Sequence, residues 1–289
     1  MPELPEVETV RRGVERHVVG RRIERVEVGR ERTVRRTSRQ QLVDGLTGAT
    51  VLAAQRRGKY LLFPLDTGDT VMVHLRMSGR LLVCEPSVPR LPHTHVVATF
   101  ARDRPDQLDR ELRFVDPRTF GEVVVFDPDH LATEMPDLAQ LGVDPITDGL
   151  SRAELRRIVL GRRRQLKALL LDQHLVAGIG NIYCDEILHA SRLHPNRSSD
   201  TLTGQEITRL HEAIHRILHA AIEAGGSTLA DTQYVDVEGN GGQFQLDHRV
   251  YDRAGLRCRT CGRADVVRMV TAGRSTFLCP HCQRRPRQR

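Results

Sequence analysis

Four cysteines fall into two short pairs, Cys258-x2-Cys261 and Cys279-x2-Cys282, with 17 residues between the pairs. Thiolates at this spacing fit the corners of one tetrahedral Zn2+. Disulfides are the competing use, and they do not persist in a reducing cytosol. At the other end of the chain Met1 precedes a proline, an arrangement that is readily trimmed and that leaves Pro2 with a free secondary amine. An α-amino group has a reference pKa near ~8 against ~10.4 for lysine, so far more of it is unprotonated and nucleophilic at neutral pH. Such an amine can attack a carbon that carries two heteroatom substituents, and once both of those bonds have broken it leaves an iminium. The plainer reading is that Pro2 and Glu3 only pre-form a helix start. The chain has two lysines, Lys59 and Lys167, within a Lys+Arg total of 44. Arginine cannot release its proton and lysine can, so each lysine is a candidate for a role arginine cannot fill, with chance as the alternative.

The elements that must carry these groups can be read from periodicity. Pro5 suits a first helical turn, Glu6 and Glu8 favour the positive end of a helix dipole, and Val7, Val10 and Val14 recur at helical spacing. From about Arg22 to Phe126 the pattern turns to short strands: VLAAQ (51–55), KYLLFPL (59–65), TVMVHL (70–75), HVVATF (95–100) and GEVVVF (121–126). Residues 127–150 are rich in Pro, Asp and Gly and read as a boundary. Helical periodicity follows. Ser151-x-x-Glu154 and Thr203-x-x-Glu206 match the capping box, and Ile207, Leu210, Ile214, Ile217, Leu218 and Ile222 form one stripe stopped by Gly225-Gly226. Residues 169–188 read as two helices joined by a glycine-bearing hinge. Between the cysteine pairs, GRSTFLC (273–279) reads as a β-hairpin with Arg274 near its tip, which suits a ribbon lying along a DNA groove or a plain surface arginine. Fifty residues build little core, so a metal there is structural. His281 reads as a surface residue, Cys84 and Cys184 as ordinary buried thiols, and the tail RRPRQR as basic and mobile. No internal repeat is present. The expected fold is α+β: a helix plus β-sandwich in 1–130, a helical domain in 131–235, and a zinc finger in 236–289.

Lys plus Arg is 44 against 37 acids, a net charge of +7 and a pI near 9.5. Such a balance fits a polyanionic partner or simply a solvated basic surface. Aromatic residues are 4% with no Trp, which argues against a single-strand binder built on stacked aromatics and for a duplex held by its phosphates. No apolar run approaches the ~18 residues of a membrane span, and the acidic start MPELPEVET has no apolar signal core. A cytosolic location with reduced cysteines is expected.

The opening MPELPEVETVRRG closely resembles the start of the formamidopyrimidine-DNA glycosylase family. The resemblance continues, in family order over essentially the whole length, through QRRGKYL (55–61), HLRMSG (74–79), DPRTFG (116–121), LDQHLVAGIGNIYCDE (171–186) and the terminal zinc finger. It implies a helix–two-turn–helix motif in the second domain. By the resemblance, Pro2 attacks sugar C1′ and forms the Schiff base, while Glu3 is the acid/base that protonates the opening ring. Lys59 matches a strand lysine that reaches the phosphate and the base side of the lesion, and Arg274 the finger arginine that grips phosphates flanking the extruded nucleotide. Asn181 would serve the helix–two-turn–helix motif, or act as an N-cap for a helix starting at Ile182. An enzyme acting on a stacked base must extrude it and fill the hole. Met77, Arg118 and Phe120 match the three void-filling residues, although by pattern alone Met77 and Phe120 read as core. His93 and Arg162 match further DNA contacts.

Three positions depart from the family pattern. Thr119 stands where many members carry a second arginine, His93-Thr94-His95 replaces a frequent His-Asp-His, and the lesion-capping loop (225–245) has Gly242-Gln243-Phe244 where Gly-Tyr-Phe is common. None touches Pro2, Glu3, Lys59 or the cysteines. The resemblance therefore implies a zinc-containing, monomeric repair enzyme that acts on damaged double-stranded DNA, excises oxidised purines and nicks the strand by β,δ-elimination. The rivals are an endonuclease VIII-like enzyme for oxidised pyrimidines and a non-catalytic, zinc-stabilised DNA-binding protein.

Overall fold

In the computed structural model, which describes residues 1–34, 36–229 and 234–285, the chain begins with α1 (Leu4–His17). Val7, Val10 and Val14 face inward from it, as their spacing requires. Then follow β1 (Ile23–Val28), α2 (Arg39–Leu46), β2 (Gln55–Arg57), β3 (Tyr60–Pro64), β4 (Thr70–His74), β5 (Arg80–Cys84), β6 (Thr94–Phe100), β7 (Glu111–Val115) and β8 (Glu122–Phe126). The strands form two antiparallel four-stranded sheets, β1-β6-β7-β5 and β2-β3-β4-β8. Leu61, Phe63, Val73, Phe100 and Phe114 fill one core with the inner face of α1. All five residues of β4 are buried, so this strand is covered on both faces. Two single-turn helices, α3 (Leu131–Glu134) and α4 (Pro136–Ala139), close the segment.

Two local outcomes differ from the sequence reading. Residues 51–55 make only one bridge, Val51 with Leu65, before β2 starts at Gln55. Pro64 lies where the ladder would continue, and it has no N–H to donate. A helix, α2, interrupts the strands; Ser38 Oγ accepts from Gln41 N at 3.1 Å and Gln41 returns a bond to Ser38 N at 2.8 Å. That reciprocal cap is written in Ser38-x-x-Gln41.

The chain divides into two compact units, and the division is not sequential. Met1–Gln140 and Ala224–Gln243 make the first, Leu141–Glu223 and Phe244–Arg289 the second. In the second, α5 (Arg152–Leu160) is capped by Ser151, whose Oγ accepts from Glu154 N at 3.1 Å, while the Glu154 carboxylate turns to Arg157 instead of closing the box. Next come α6 (Leu166–Leu170), α7 (Asn181–Ala190) and α8 (Gly204–Glu223). The α8 box is complete, with Glu206 N on Thr203 Oγ1 and Thr203 N on the Glu206 carboxylate. The β9 (Val267–Thr271) and β10 (Arg274–Leu278) hairpin follows, as expected. The hinge between α6 and α7 is a structured turn: the Gln173 amide donates to Leu171 O and Ile179 O and accepts from Gly178 N. Residues 230–233, part of the loop expected to cap the lesion, and the end of the basic tail (286–289) lie outside the described residues. No described helix is long and apolar enough to cross a membrane.

Candidate functional site

Pro2 and Glu3 are buried at the entrance to α1. The Glu6 carboxylate, 1% exposed, reaches back to accept Glu3 N at 2.8 Å with one oxygen, and its other oxygen accepts Ser227 N at 2.7 Å. Glu6 thereby joins the start of the chain to the foot of the loop beginning at Gly225. Gly226, at φ +82°, admits this approach, since a Cβ there would lie 2.8 Å from Glu6 Cγ. Tyr234 Oη donates to Glu6 O at 3.3 Å; burial and the Glu6 charge raise its pKa and keep it a donor. Thr228 Oγ1 accepts Gly242 N at 2.8 Å and donates to Tyr234 O at 2.8 Å, closing the loop's base.

Lys59 is buried and occupies the turn between β2 and β3, not a strand, because Gly58 at φ +58° reverses the chain there. The turn is fastened to α1. Arg56 Nε donates to Glu8 at 3.1 Å and Arg56 Nη1 to Gly58 O at 2.9 Å. The structure thus fixes the Lys59 turn on the helix that Pro2 and Glu3 initiate.

Met77 is 37% and Phe120 40% exposed, so these large apolar side chains lie at the surface and outside the core. Arg118 lies over the Phe120 ring at 5.2 Å. His93 is exposed at φ +66°. The fully buried Asp116 lies behind these loops: its carboxylate accepts Ser78 Oγ at 2.5 Å, Arg118 N at 3.2 Å and Gly121 N at 2.7 Å.

In the second unit, Arg274 is exposed at the start of β10, after a turn through Ala272 (φ +52°) and Gly273 (φ +70°). Its neighbour Ser275 is tied down, with Ser275 O accepting Lys167 Nζ at 3.1 Å and Asn181 Nδ2 at 3.0 Å. Asn181 is therefore not the N-cap expected for a helix at Ile182. It is already the first residue of α7, Gly180 is the cap, and one of its two amide N–H groups donates to Ser275 O in β10. Lys167 and Asp185 form a completely buried ion pair at 2.7 Å, and the other Asp185 oxygen accepts Phe277 N at 2.8 Å. Burial pushes the Asp185 carboxyl up to about 7, with Lys167 and the Phe277 N–H pulling against it. The adjacent Glu186 accepts Arg249 N, Val250 N and Tyr251 N at 2.8 to 3.0 Å. Arg162 is exposed beyond α5, with Nη1 near Ile158 O at 3.5 Å.

The four cysteine sulfurs of the finger lie within 4.8 Å of one another, and Cys261 Sγ is 3.7 Å from Cys279 Sγ. A tetrahedral Zn2+ with bonds of ~2.3 Å places its sulfurs about 3.8 Å apart, so the set fits. Arg263 N–H points at Cys261 and holds its thiol down at about 6, while burial and the neighbouring sulfurs push Cys282 up. Four thiolates at this range would repel one another unless a cation lay between them. Cys84 and Cys184 lie apart from the cluster, Cys184 buried and Cys84 half-buried.

The sequence offers Glu6 only a helix-dipole role and does not single out Arg56, Asp116 or Asp185. Glu6 stands at the capping-box offset from Glu3 and Asp116 immediately before a turn proline; Asp185 and Arg56 carry no comparable signal.

Three family models match the chain: the formamidopyrimidine-DNA glycosylase N-terminal domain over residues 1–123, the H2TH domain of the same enzymes over 141–233, and a zinc finger found in FPG and IleRS over 255–285. Formamidopyrimidine-DNA glycosylase of Salinispora arenicola is 45% identical over 291 residues, covering 100% of this chain and 98% of that protein. The Desulfitobacterium hafniense protein of the same name is 41% identical, covering 98% of this chain and 100% of its own length. A Lactococcus lactis Fpg variant bound to Fapy-dG-containing DNA superposes with TM-score 0.88 at 35% identity, covering 98% of this chain and 100% of that one. Wild-type Lactococcus lactis Fpg with oxidised-pyrimidine DNA gives a TM-score of 0.87 at 35% identity and the same coverage.

Proposed function

The chain belongs to the formamidopyrimidine-DNA glycosylase family, and from that premise we propose that it is a bifunctional DNA glycosylase and abasic-site lyase of base excision repair. It removes oxidised purines (8-oxoguanine opposite cytosine, and ring-opened formamidopyrimidines) from duplex DNA. The observation that carries this reading is the start of the chain. Pro2 and Glu3 open α1 on the Glu6 carboxylate, and Glu6 also holds the foot of the lesion-side loop.

With Met1 removed, the Pro2 nitrogen attacks C1′, the C1′–N bond to the damaged base breaks, and Glu3 supplies a proton as the sugar ring opens. The product is an iminium on Pro2. Loss of a C2′ proton then expels the 3′ phosphate, and a second elimination expels the 5′ phosphate. Lys59 assists base loss and proton transfer from its turn. Met77, Arg118 and Phe120 fill the vacated stack, while His93, Arg162, Asn181 and Arg274 grip the backbone. Cys258, Cys261, Cys279 and Cys282 hold one structural Zn2+, which fixes the finger hairpin. We assign the chemistry, the void-filling residues and the His93 contact to residues 1–130 and the rest of the grip to 131–235 and 236–289, in a monomer working in the cytoplasm.

Borohydride trapping on a duplex with 8-oxoguanine opposite cytosine tests this. The wild type gives a covalent adduct mapping to Pro2; Pro2→Gly and Glu3→Gln do not. Trapping on an abasic duplex alone would overturn the lesion assignment, and no trapping on either would overturn the catalytic reading. A second reading, oxidised pyrimidines, is favoured by the Lactococcus lactis structure with such a lesion. Comparing excision from 8-oxoguanine and thymine-glycol duplexes separates the two.

A further inference from the structure

We propose that Asp116 is a positioning residue whose carboxylate locks the loops bearing Met77, Arg118 and Phe120 into one preformed wedge, so that extrusion of a base depends on it and cleavage at an abasic sugar does not. The inference rests on the reading of those side chains as void-filling and DNA-contacting groups.

Asp116 directly follows β7 and is 0% exposed. One carboxylate oxygen accepts the Ser78 hydroxyl at 2.5 Å and Arg118 N at 3.2 Å; the other accepts Gly121 N at 2.7 Å. Ser78 follows Met77, while Arg118 and Gly121 bracket Phe120. One carboxylate therefore joins the β4–β5 turn to the β7–β8 turn. The Asp116 backbone adds a third loop: its N–H donates to His93 O at 3.0 Å, and its carbonyl accepts His95 Nε2 at 2.9 Å. Gly121 leaves the space this requires, because a Cβ there would meet Phe114 Cζ at 2.5 Å and Asp116 Oδ2 at 3.1 Å.

Backbone strain points to the same place. Three non-glycine residues in these loops have left-handed backbones: Arg76 at φ +51°, His93 at +66° and Thr119 at +56°. Such conformations persist only where the surroundings over-determine them, and a β-branched residue such as Thr119 adopts them least readily. Asp116 constrains two of the three: its carboxylate accepts Arg118 N and Gly121 N on either side of Thr119, whose own N donates to Asp116 O at 3.2 Å, and its N–H donates to His93 O, while Arg76 N is held by His74 Nδ1. A wedge held in this way enters the stack without first ordering itself, and the freedom lost on insertion is correspondingly small.

The test uses the zinc-loaded full chain under single-turnover conditions. Asp116→Asn retains the shape, but it puts an NH2 in place of one carboxylate oxygen, so either Arg118 N or Gly121 N loses its acceptor. Leaving a buried donor unpaired weakens the loop by an amount equivalent to about 10–100-fold in rate, so excision of 8-oxoguanine opposite cytosine falls by that factor. Nicking at a preformed abasic site stays within about threefold, because no base remains to be unstacked. A mismatched duplex, where the base is already loosened, restores most of the excision rate. Ser78→Ala, which deletes only the hydroxyl contact, gives an intermediate loss, and its effect is not additive with Asp116→Asn. If Asp116→Asn fails to fold, Ser78→Ala alone decides: unchanged excision overturns the inference. Equal losses on both substrates, or unchanged excision in a folded Asp116→Asn, also overturn it. Met77→Ala and Phe120→Ala serve as controls. If they excise normally, the wedge reading itself fails; if they are slowed while Asp116→Asn is not, only the role of Asp116 fails.

Discussion

His74, beneath the Met77 turn, couples a proton to loop geometry. Its Nδ1 accepts Arg76 N at 3.0 Å, which requires a neutral ring nitrogen there. Burial holds its pKa well below the usual histidine value, and the charges of Arg76, Lys59 and Arg36 act in the same direction. An unfolded histidine takes its proton near pH ~6.5, so the unfolded state binds more protons than the fold below that point. Stability of the first unit is accordingly lost as pH falls from about 6.5, and His74→Gln flattens that slope. Urea unfolding at a series of pH values checks this, and an unchanged slope in the variant would refute it. Thr119 permits a second expectation at this scale. Asparagine tolerates a left-handed backbone better than a β-branched residue, so Thr119→Asn stabilises the first unit by about 0.5–1 kcal/mol, read from the same urea midpoints.

At the scale of elements, α7 acts as the anchor of the finger. Asp185 and Glu186 are consecutive in sequence, yet one holds β10 and the other the chain at 249–251. Lys167→Met removes the counter-charge of Asp185 and costs about 3–5 kcal/mol, whereas Lys167→Met with Asp185→Leu recovers most of it. Thermal unfolding of the three proteins checks the order, and equal losses in single and double variants would exclude it. What the sequence disclosed follows from locality. The α1 face, the Thr203–Glu206 cap, the hairpin at Arg274 and the cysteine knuckles are set by residues a few positions apart, and all appear as expected. Of the two roles open to Asn181, the local one, an N-cap, is excluded by Gly180, and its side-chain partner Ser275, 94 positions away, leaves no local pattern. The bridge from Glu6 to Ser227 spans 221 positions and leaves no periodic trace. Lys59 stood out by rarity, although its place in a turn follows from the adjacent Gly58. Met77 and Phe120 have the composition of core residues, and only the family resemblance directed them to the surface.

For the whole molecule, metal and salt separate the two units. The finger's core cluster is Val250, Cys258, Val266, Phe277 and Cys279, so two of its five members are zinc ligands. Chelation should melt the finger and abolish duplex binding while the sandwich transition survives, which calorimetry with and without chelator resolves. A net charge of +7 also implies that duplex affinity falls linearly in log–log against salt, with a slope near −0.9 per neutralised phosphate. The first unit takes in Ala224–Gln243 after the chain has left it at Gln140. Chains are made from the N-terminus at about 5–20 residues per second, so roughly 5–20 s of translation separate synthesis of the sandwich from synthesis of the loop foot that Glu6 grips. Pro2 and Glu3 are made early, yet their surroundings are finished only after the whole helical segment has been made. A nascent chain released before Ala224 would carry Pro2 and Glu3 on a nearly complete sandwich without the Ser227 contact, so vectorial synthesis delays closure of the Glu6 bridge until the helical segment has been made.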